Sequence, residues 1–308
     1  WNKIIMAIEI PNKIYFVGTP EEKNFLHALK PLLNSVSAGA WFTNSILTAS
    51  QVIQKAKEAK ATAIVTSHPE LLKRIYPDGI SSGTISDFAG SMIVHQGMEF
   101  LIIDPLYQSR TVPYWEFITR KFLEKFTKPS SYTFSSKLQY TLCLDPIRQG
   151  TAVEALAKAD YIAFDIETVN EPTLRITMVG FTGIYLSEST GTELCTRTFV
   201  IPFTDMVAHE MCRRILQNPV EKIAQNGKYD IAWLQYFGIP VYNYLWDTIN
   251  LSHCIYSELP KDLAFISCLW TRDTYNWKSL GRSADSDLRF LYNGKDTLAT
   301  ALTFMNIL

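Results

Sequence analysis

The sequence predicts an α/β protein with two domains, and three observations support this prediction. The chain has 308 residues, of which 47% are hydrophobic, and this is enough for two buried cores. Strand-like and helical segments alternate along both halves, which is typical of α/β architecture. A stretch rich in Pro and Ser, residues 128–136, separates the halves. We therefore predict domains at 1–140 and 141–308.

The elements of the first domain follow from local patterns. Segments rich in β-branched and aromatic residues predict strands, and apolar residues at helical spacing predict helices. The predicted strands are 13–19, 40–43, 61–67, 91–95 and 99–104, and the predicted helices are 21–33, 50–59, 70–75 and 113–127. Gln96 and Gly97 lie between the last two strands and predict a hairpin turn.

The second domain begins with an apolar strand and ends in a long helix. Strands are predicted at 141–144, 161–168, 176–182, 196–201 and 222–224, and helices at 151–158, 209–217, 229–237 and from 288 to the end. The strands from 161 to 201 follow one another without an intervening helix, which predicts an antiparallel meander. The last helix lacks a stop signal and the first residue is Trp, so we expect a fragment of a longer chain.

The charge of the chain is nearly balanced, with 29 basic and 30 acidic residues. This balance argues against a polybasic protein that binds nucleic acid through its whole surface. The halves differ, because the first 150 residues hold 16 basic and 12 acidic side chains and the remainder holds 13 and 18. The acidic half is consistent with a solvated surface or with carboxylates gathered around metal ions.

The cysteines and the hydropathy indicate the compartment. The five cysteines, at positions 143, 195, 212, 254 and 268, form no CxxC pair, so we expect reduced thiols and a cytoplasmic location. No segment approaches the roughly 18 apolar residues of a membrane span, and we expect no membrane partner.

An acidic pair lies in the first strand of the second domain. Asp165 and Glu167 are two residues apart in a segment that is otherwise apolar, so both carboxylates point to the same face of the strand. Two like charges on one face repel each other unless a cation lies between them. The alternative is that this face is simply exposed to solvent.

Two later segments carry further candidates. In the first, Asn226 precedes a helix that has Asp230 in its first turn, where a carboxylate also favours the helix dipole. In the second, Tyr292 and Asp296 are four residues apart on the last helix, so they share a face. Each of these features is weak evidence when taken alone.

Taken together, the segments DIET, NGKYD and YNGKD resemble the three motifs of the DEDDy 3′–5′ exonucleases, which have an RNase H-like fold. The residues of these three segments are most similar to those of the proofreading exonuclease of family A DNA polymerases, phage type. The resemblance covers about 151–308 and is loose before that, so the role of residues 1–140 is unassigned. It implies an RNase H-like exonuclease domain, a mixed central sheet flanked by helices, preceded by a smaller α/β domain.

The resemblance also implies a mechanism and a set of site residues. Phosphodiester hydrolysis would use two divalent ions, Mg²⁺ or Mn²⁺, about 3.5–4 Å apart. Asp165, Glu167, Asp230 and Asp296 would hold the ions, with Asp165 bridging both. Tyr292 would orient the attacking water. Asn226 and Thr168 would contact the 3′-terminal nucleotide, and the aromatic residues Tyr229, Trp233, Tyr275 and Trp277 are candidates either for stacking on bases or for the core.

The expected partners are single-stranded DNA 3′ ends or primer-template DNA, and a polymerase domain in the same chain or in a partner chain. Polymerase proofreading would place the protein in DNA replication, in the host cytoplasm if a phage encodes it. Two alternatives stay open. One is a free-standing DEDDy exonuclease that acts on RNA, and the other is a non-catalytic RNase H-like module that binds nucleic acid.

Overall fold

The computed structural model describes residues 13–33, 36–44, 48–76, 83–127, 138–169, 175–186, 194–272, 274–282 and 285–308. The chain divides into two compact units. The first comprises Trp1–Thr133 and Arg272–Ser279, and the second comprises Phe134–Thr271 and Leu280–Leu308. The Pro- and Ser-rich stretch at 128–136 lies outside the described residues. None of the helices described is both long and apolar enough to cross a bilayer.

The first unit is built on a five-stranded sheet. Its strands are β1 (Ile14–Gly18), β2 (Ser37–Phe42), β3 (Ala63–Thr66), β4 (Met92–His95) and β5 (Met98–Ile102), and its helices are α1 (Leu26–Leu33), α2 (Ala49–Glu58), α3 (Pro69–Ile75) and α4 (Trp115–Leu123). The strand order is β2-β1-β3-β5-β4, with four parallel strands and β4 antiparallel to β5. Gln96 and Gly97 form the predicted turn between β4 and β5, and both have positive φ.

The segment 272–279 belongs to this first unit although it follows most of the second unit in sequence. The backbone N–H of Met92 donates to the carbonyl oxygen of Thr274 at 2.8 Å. The side chain of Trp277 is fully buried, and Arg272 forms an ion pair with Glu99. The sequence alone does not predict that this segment packs in the first unit, because its apolar residues indicate burial but not the unit in which they are buried.

The second unit is built on a six-stranded mixed sheet in the order β11-β10-β7-β8-β9-β6. Its strands are β6 (Tyr140–Leu142), β7 (Tyr161–Val169), β8 (Arg175–Leu186), β9 (Leu194–Pro202), β10 (Glu221–Ala224) and β11 (Tyr244–Asp247). Its helices are α5 (Pro146–Leu156), α6 (Met206–Leu216), α7 (Gly227–Tyr236), α8 (Thr248–Ile255), α9 (Leu263–Trp270) and α10 (Ser286–Ile307). Strands β7, β8 and β9 form the predicted antiparallel meander, and β10 is parallel to β7. The predicted α/β class and the mixed sheet flanked by helices are confirmed.

The two faces of this sheet are covered by different helices. Phe164 and Ile166 of β7 are buried in one core cluster, with residues of α5, α6 and α7. Ala163 lies in the other cluster, with Ala301 and Phe304 of α10. Because side chains alternate along a strand, residues 165 and 167 are on the face that α10 covers.

Several element boundaries differ from the prediction. Helix α5 begins at Pro146, since Asp145 caps it by accepting a hydrogen bond from the backbone of Arg148 at 2.9 Å. The predicted helix 21–33 begins as a 3₁₀ helix, Pro20–Phe25, and continues as α1. Strand β11 was not predicted, because its four residues show no alternation of polar and apolar types.

Candidate active site

Three carboxylates from two distant elements converge above the centre of the six-stranded sheet. Asp165 and Glu167 extend from β7, and Asp296 extends from α10. One carboxylate oxygen of each lies within 4.8 Å of the others. Asp165 and Glu167 are half-buried, whereas Asp296 is only 5% exposed. The structure therefore places the acidic strand pair and the acid of the last helix at one point.

Asp230 contacts the same strand from helix α7. It lies in the first turn of α7, and its Oδ1 atom accepts a hydrogen bond from the backbone N–H of Ile166 at 3.0 Å. Ile166 separates Asp165 from Glu167 in the strand. Asp230 is therefore attached to the acidic pair through the backbone, although its oxygens are not among the three that converge within 4.8 Å.

The environment of Asp230 disfavours its ionised form. Its side chain is 5% exposed, and burial is the main cause that raises the pKa of this carboxyl above its ordinary value. The nearby charges of Asp247 and Asp296 raise the pKa further, while the hydrogen bond from Ile166 opposes the shift. A buried acid among other acids is costly for folding, and a cation would remove this cost.

Tyr292 lies one helical turn before Asp296 on α10 and is half-buried. Gly281 lies against its ring, since a Cβ atom added there would be 2.9 Å from ring atoms Cε2 and Cζ. The glycine thus makes room for the tyrosine ring. The shared helix face of Tyr292 and Asp296 follows from their spacing, and the role of Tyr292 in orienting water stays a prediction.

Of the two predicted substrate contacts, Thr168 follows the acidic pair in β7 and Asn226 precedes α7. The hydroxyl of Thr168 is 3.0 Å from the hydroxyl of Tyr229, which is 50% exposed on the first turn of α7. Asn226 is the exposed residue that precedes α7, and its φ of 58° is left-handed. Asparagine tolerates this conformation better than most residues. Contact of Thr168 and Asn226 with a nucleotide stays a prediction.

Asp247 was not predicted, and it holds the turn before α7. Its Oδ1 atom accepts from the backbone N–H groups of Asn226 and Ile249, and its Oδ2 atom accepts from the backbone of Gly227 and the hydroxyl of Tyr244. These four distances lie between 2.7 and 3.1 Å. Because neither β11 nor α8 was predicted, the sequence carried only the residue type as a signal, since Asp is common at helix N-caps.

Asn293 was also not predicted. It follows Tyr292 on α10, is fully buried, and donates from Nδ2 to the Oδ2 atom of Asp165 at 2.8 Å. The helical spacing could have indicated its burial, but it could not have indicated its partner.

The structure decides between the two alternatives for the aromatic candidates. Tyr275 and Trp277 are 2% and 0% exposed within the first unit, so they belong to its core and not to a base-stacking surface. Trp233 packs partly on the core of the second unit, between Tyr229 and Phe237. Of the four aromatic candidates, Tyr229 is the most exposed.

The donor set of this site fits divalent cations. The converging ligand atoms are carboxylate oxygens, which suit hard ions such as Mg²⁺ and Mn²⁺. Three carboxylates held this close repel one another, and bound positive charge offsets this repulsion. Asp165, Glu167 and Asp296 could hold one ion directly. Asp230 is hydrogen-bonded to the backbone of Ile166, between Asp165 and Glu167, and could provide a further ligand.

The comparisons with known proteins agree with this geometry. Residues 146–264 match the family model named DNA pol A exo1, which is described as 3′–5′ exonuclease. This segment contains Asp165, Glu167 and Asp230, whereas Tyr292 and Asp296 lie beyond it. No curated protein matches the chain.

Solved structures give weaker likenesses. The catalytic core of RRP6 from Trypanosoma brucei matches with a TM-score of 0.43 and 18% identity, over 71% of this chain and 59% of that one. Escherichia coli RNase D, an exoribonuclease involved in structured RNA processing, has a TM-score of 0.41 and 18% identity, over 55% and 45%. The POL domain of Pol1 from M. smegmatis, in complex with DNA primer-template and dNTP, has a TM-score of 0.39 and 9% identity, over 54% and 26%.

This chain therefore spans less than two thirds of the length of these solved structures. The family match includes both acids of β7 and the acid of α7, and the fold supplies Asp296 from α10. The resemblance to 3′–5′ exonucleases is confirmed by this family model, which residues 146–264 match.

Proposed function

We propose that the second unit hydrolyses DNA from the 3′ end in a metal-dependent reaction, as the proofreading part of a family A DNA polymerase of phage type. The observation that carries this proposal is the convergence of Asp165, Glu167 and Asp296, with Asp230 bonded to the backbone between the first two. This arrangement is the one that the exonuclease motifs require, and the family match covers the first two motifs.

The proposed roles follow from position. Asp165, Glu167, Asp230 and Asp296 would hold two Mg²⁺ or Mn²⁺ ions. When bound, such ions lower the pKa of a water molecule and stabilise negative charge on a phosphate. The hydroxyl of Tyr292, one turn from Asp296, would accept or donate a hydrogen bond that orients the attacking water. No histidine base is required by these roles.

The 3′ end would lie near the first turn of α7. Tyr229 is half-exposed there, with its hydroxyl against that of Thr168, and Asn226 is exposed at the start of the helix. An aromatic ring with an exposed face can stack on a terminal base, and amide and hydroxyl groups can bond to its sugar or phosphate. A frayed single strand suits such a site better than a paired end, since paired bases are not accessible for stacking on a side chain.

The choice of DNA rests on the family match, because the matching family model is named for family A DNA polymerases. The similarity to RNase D and RRP6 corresponds to the RNA alternative. Their TM-scores are below 0.5, so this similarity is no argument for RNA over DNA as the substrate. The non-catalytic alternative is less favoured, because every carboxylate that the motifs require is present in this sequence. A polymerase partner and a cytoplasmic location remain parts of the proposal.

The test uses the purified chain and 5′-labelled oligonucleotides of one sequence, as single-stranded DNA, single-stranded RNA, and primer-template DNA with a matched or mismatched 3′ end. With Mg²⁺ we expect a ladder that shortens from the 3′ end, fastest for single-stranded DNA and faster for the mismatched than for the matched primer. Faster loss of RNA would favour the RNA exonuclease. Binding without cleavage in Mg²⁺ or Mn²⁺ would favour the non-catalytic module.

A further inference from the structure

Asn293 is a neutral side chain of the last helix that contacts the acidic cluster. Its Nδ2 atom donates to Asp165 Oδ2 at 2.8 Å, and it lies 3.5 Å from the backbone carbonyl oxygen of the same residue. An ionised carboxylate only accepts hydrogen bonds, so the nitrogen and not the oxygen of the amide faces Asp165. The two residues are 128 positions apart, and this bond links α10 directly to β7.

The opposite edge of Asn293 lies against a glycine. Gly180 pairs with Asp165 in the β7–β8 ladder. A Cβ atom added to Gly180 would clash with Asn293 Oδ1 and lie 2.9 Å from Asn293 Cγ. Among the described residues, the Oδ1 atom has no hydrogen-bond partner. The Asn293 amide thus lies between Gly180 of β8 and the carboxylate of Asp165 in β7, in space that is free because residue 180 has no side chain.

One turn further along α10, a hydroxyl network holds the helix to the same strand. The hydroxyl of Thr297 is 2.9 Å from that of Thr182, and the latter is 2.9 Å from that of Thr198. All three threonines are buried. Asn293 therefore lies on a helix that a second buried polar contact also links to β8.

We propose that Asn293 is a positioning residue that holds the Asp165 carboxylate in the orientation required for cation binding. A fully buried neutral donor at 2.8 Å restrains the carboxylate plane without adding charge to the cluster. An aspartate at this position would repel Asp165, and a lysine would compete with a bound cation. This inference rests on the proposed function, since it assigns Asn293 to the metal site of that function.

The test measures Mn²⁺ binding to the metal-free chain by titration calorimetry. Asn293→Leu keeps a similar side-chain volume and removes the donor. Residues that orient a metal ligand typically contribute 10- to 100-fold to metal affinity, and we expect a loss of about this size. The matched control is Thr303→Val, which removes a buried hydroxyl of the same helix that is 2.9 Å from Ser267 Oγ and outside the acidic cluster. We expect its Mn²⁺ affinity to stay within about twofold of wild type.

Two further variants keep the inference testable if Asn293→Leu does not fold. Gly180→Ala keeps the amide but displaces it through the clash with its Cγ and Oδ1 atoms, and Asn293→Ser leaves a hydroxyl that is too short to replace the amide. Weakened Mn²⁺ binding in the folded variants, with a higher Mg²⁺ requirement and recovery of the rate at high Mg²⁺, supports the inference. Wild-type affinity in a folded Asn293 variant, with a loss of thermal stability like that of Thr303→Val, would overturn it.

The same experiment separates this inference from the proposed function. If the wild-type chain degrades no nucleic acid but Asn293→Leu weakens Mn²⁺ binding, the proposed function fails and the positioning role stands. If the wild-type chain is an active exonuclease and the Asn293 variants bind Mn²⁺ as it does, the positioning role fails alone.

Discussion

Asp230 and Ile166 are joined by a hydrogen bond of 3.0 Å, from the backbone N–H of Ile166 to the Oδ1 atom of Asp230. This bond attaches the first turn of α7 to the middle of the acidic strand. It also holds a carboxylate in a nearly buried position among other acids, where burial raises its pKa. The cost of ionising Asp230 at this position is consistent with the proposed binding of a cation beside it.

The first prediction concerns the stability of the metal-free chain. Because the pKa of Asp230 is higher in the folded than in the unfolded state, the folded state binds more protons and stability falls as the pH rises from about 4 towards 7. Asp230→Asn keeps the acceptor for Ile166 and removes the charge. We expect its melting temperature at pH 7 to exceed that of wild type by a few degrees, with little difference at pH 4.

Thermal unfolding in EDTA at several pH values measures this effect. Asp205→Asn, which changes an exposed carboxylate that caps α6, controls for the loss of one negative charge. A melting temperature of Asp230→Asn that equals or falls below that of wild type at pH 7 contradicts the prediction.

The second prediction concerns the acidic pair of β7. Asp165→Ala combined with Glu167→Ala removes two of the three converging carboxylates, and we expect the exonuclease rate to fall at least about 1000-fold, equivalent to about 4 kcal/mol in the barrier. Binding of single-stranded DNA should survive, as fluorescence anisotropy would show. Cleavage by the double variant at the wild-type rate would show that the site is assigned wrongly.

The third prediction concerns metal removal. Excess EDTA should stop the reaction, and added Mg²⁺ or Mn²⁺ should restore it, since the carboxylates alone provide no positive charge for the phosphate. Addition of Mn²⁺ should also raise the melting temperature of the wild-type chain, because a ligand that binds the folded state stabilises it. The double variant should show no such rise, and full activity in EDTA would contradict the prediction.

The fourth prediction concerns Tyr292. Tyr292→Phe keeps the ring against Gly281 and removes the hydroxyl, so we expect a rate at least about 100-fold lower with Mn²⁺ affinity unchanged within about twofold. Single-turnover cleavage and titration calorimetry measure the two quantities. A parallel loss of Mn²⁺ affinity would indicate a structural effect, and an unchanged rate would remove Tyr292 from the mechanism.

The fifth prediction concerns Asp247. Each carboxylate oxygen of Asp247 accepts two hydrogen bonds, and in Asp247→Asn one of these oxygens becomes an NH₂ group, which accepts none. We expect a loss of stability of about 1–3 kcal/mol, measured by urea unfolding. Tyr244→Phe removes a single donor and should cost less. Equal stability of Asp247→Asn and wild type would show that these hydrogen bonds contribute nothing net.

The sequence by itself determined the local part of the site. Alternation along a strand placed Asp165 and Glu167 on one face, and helical periodicity placed Tyr292 and Asp296 one turn apart. The order of the three motifs then indicated a 3′–5′ exonuclease, and residues 146–264, which hold the first two motifs, match that family model. These features depend on residues within a few positions of one another, and for that reason a sequence pattern can show them.

Only the tertiary structure decided which residues hold this site together. Asn293 reaches Asp165 across 128 positions, Asp230 reaches Ile166 across 64, and the Asp247 oxygens reach the turn at Asn226 across 21. The segment 272–279 joins the first unit for the same kind of reason. Such contacts depend on strand order and helix packing, because a buried polar side chain has the same local pattern whatever its partner is.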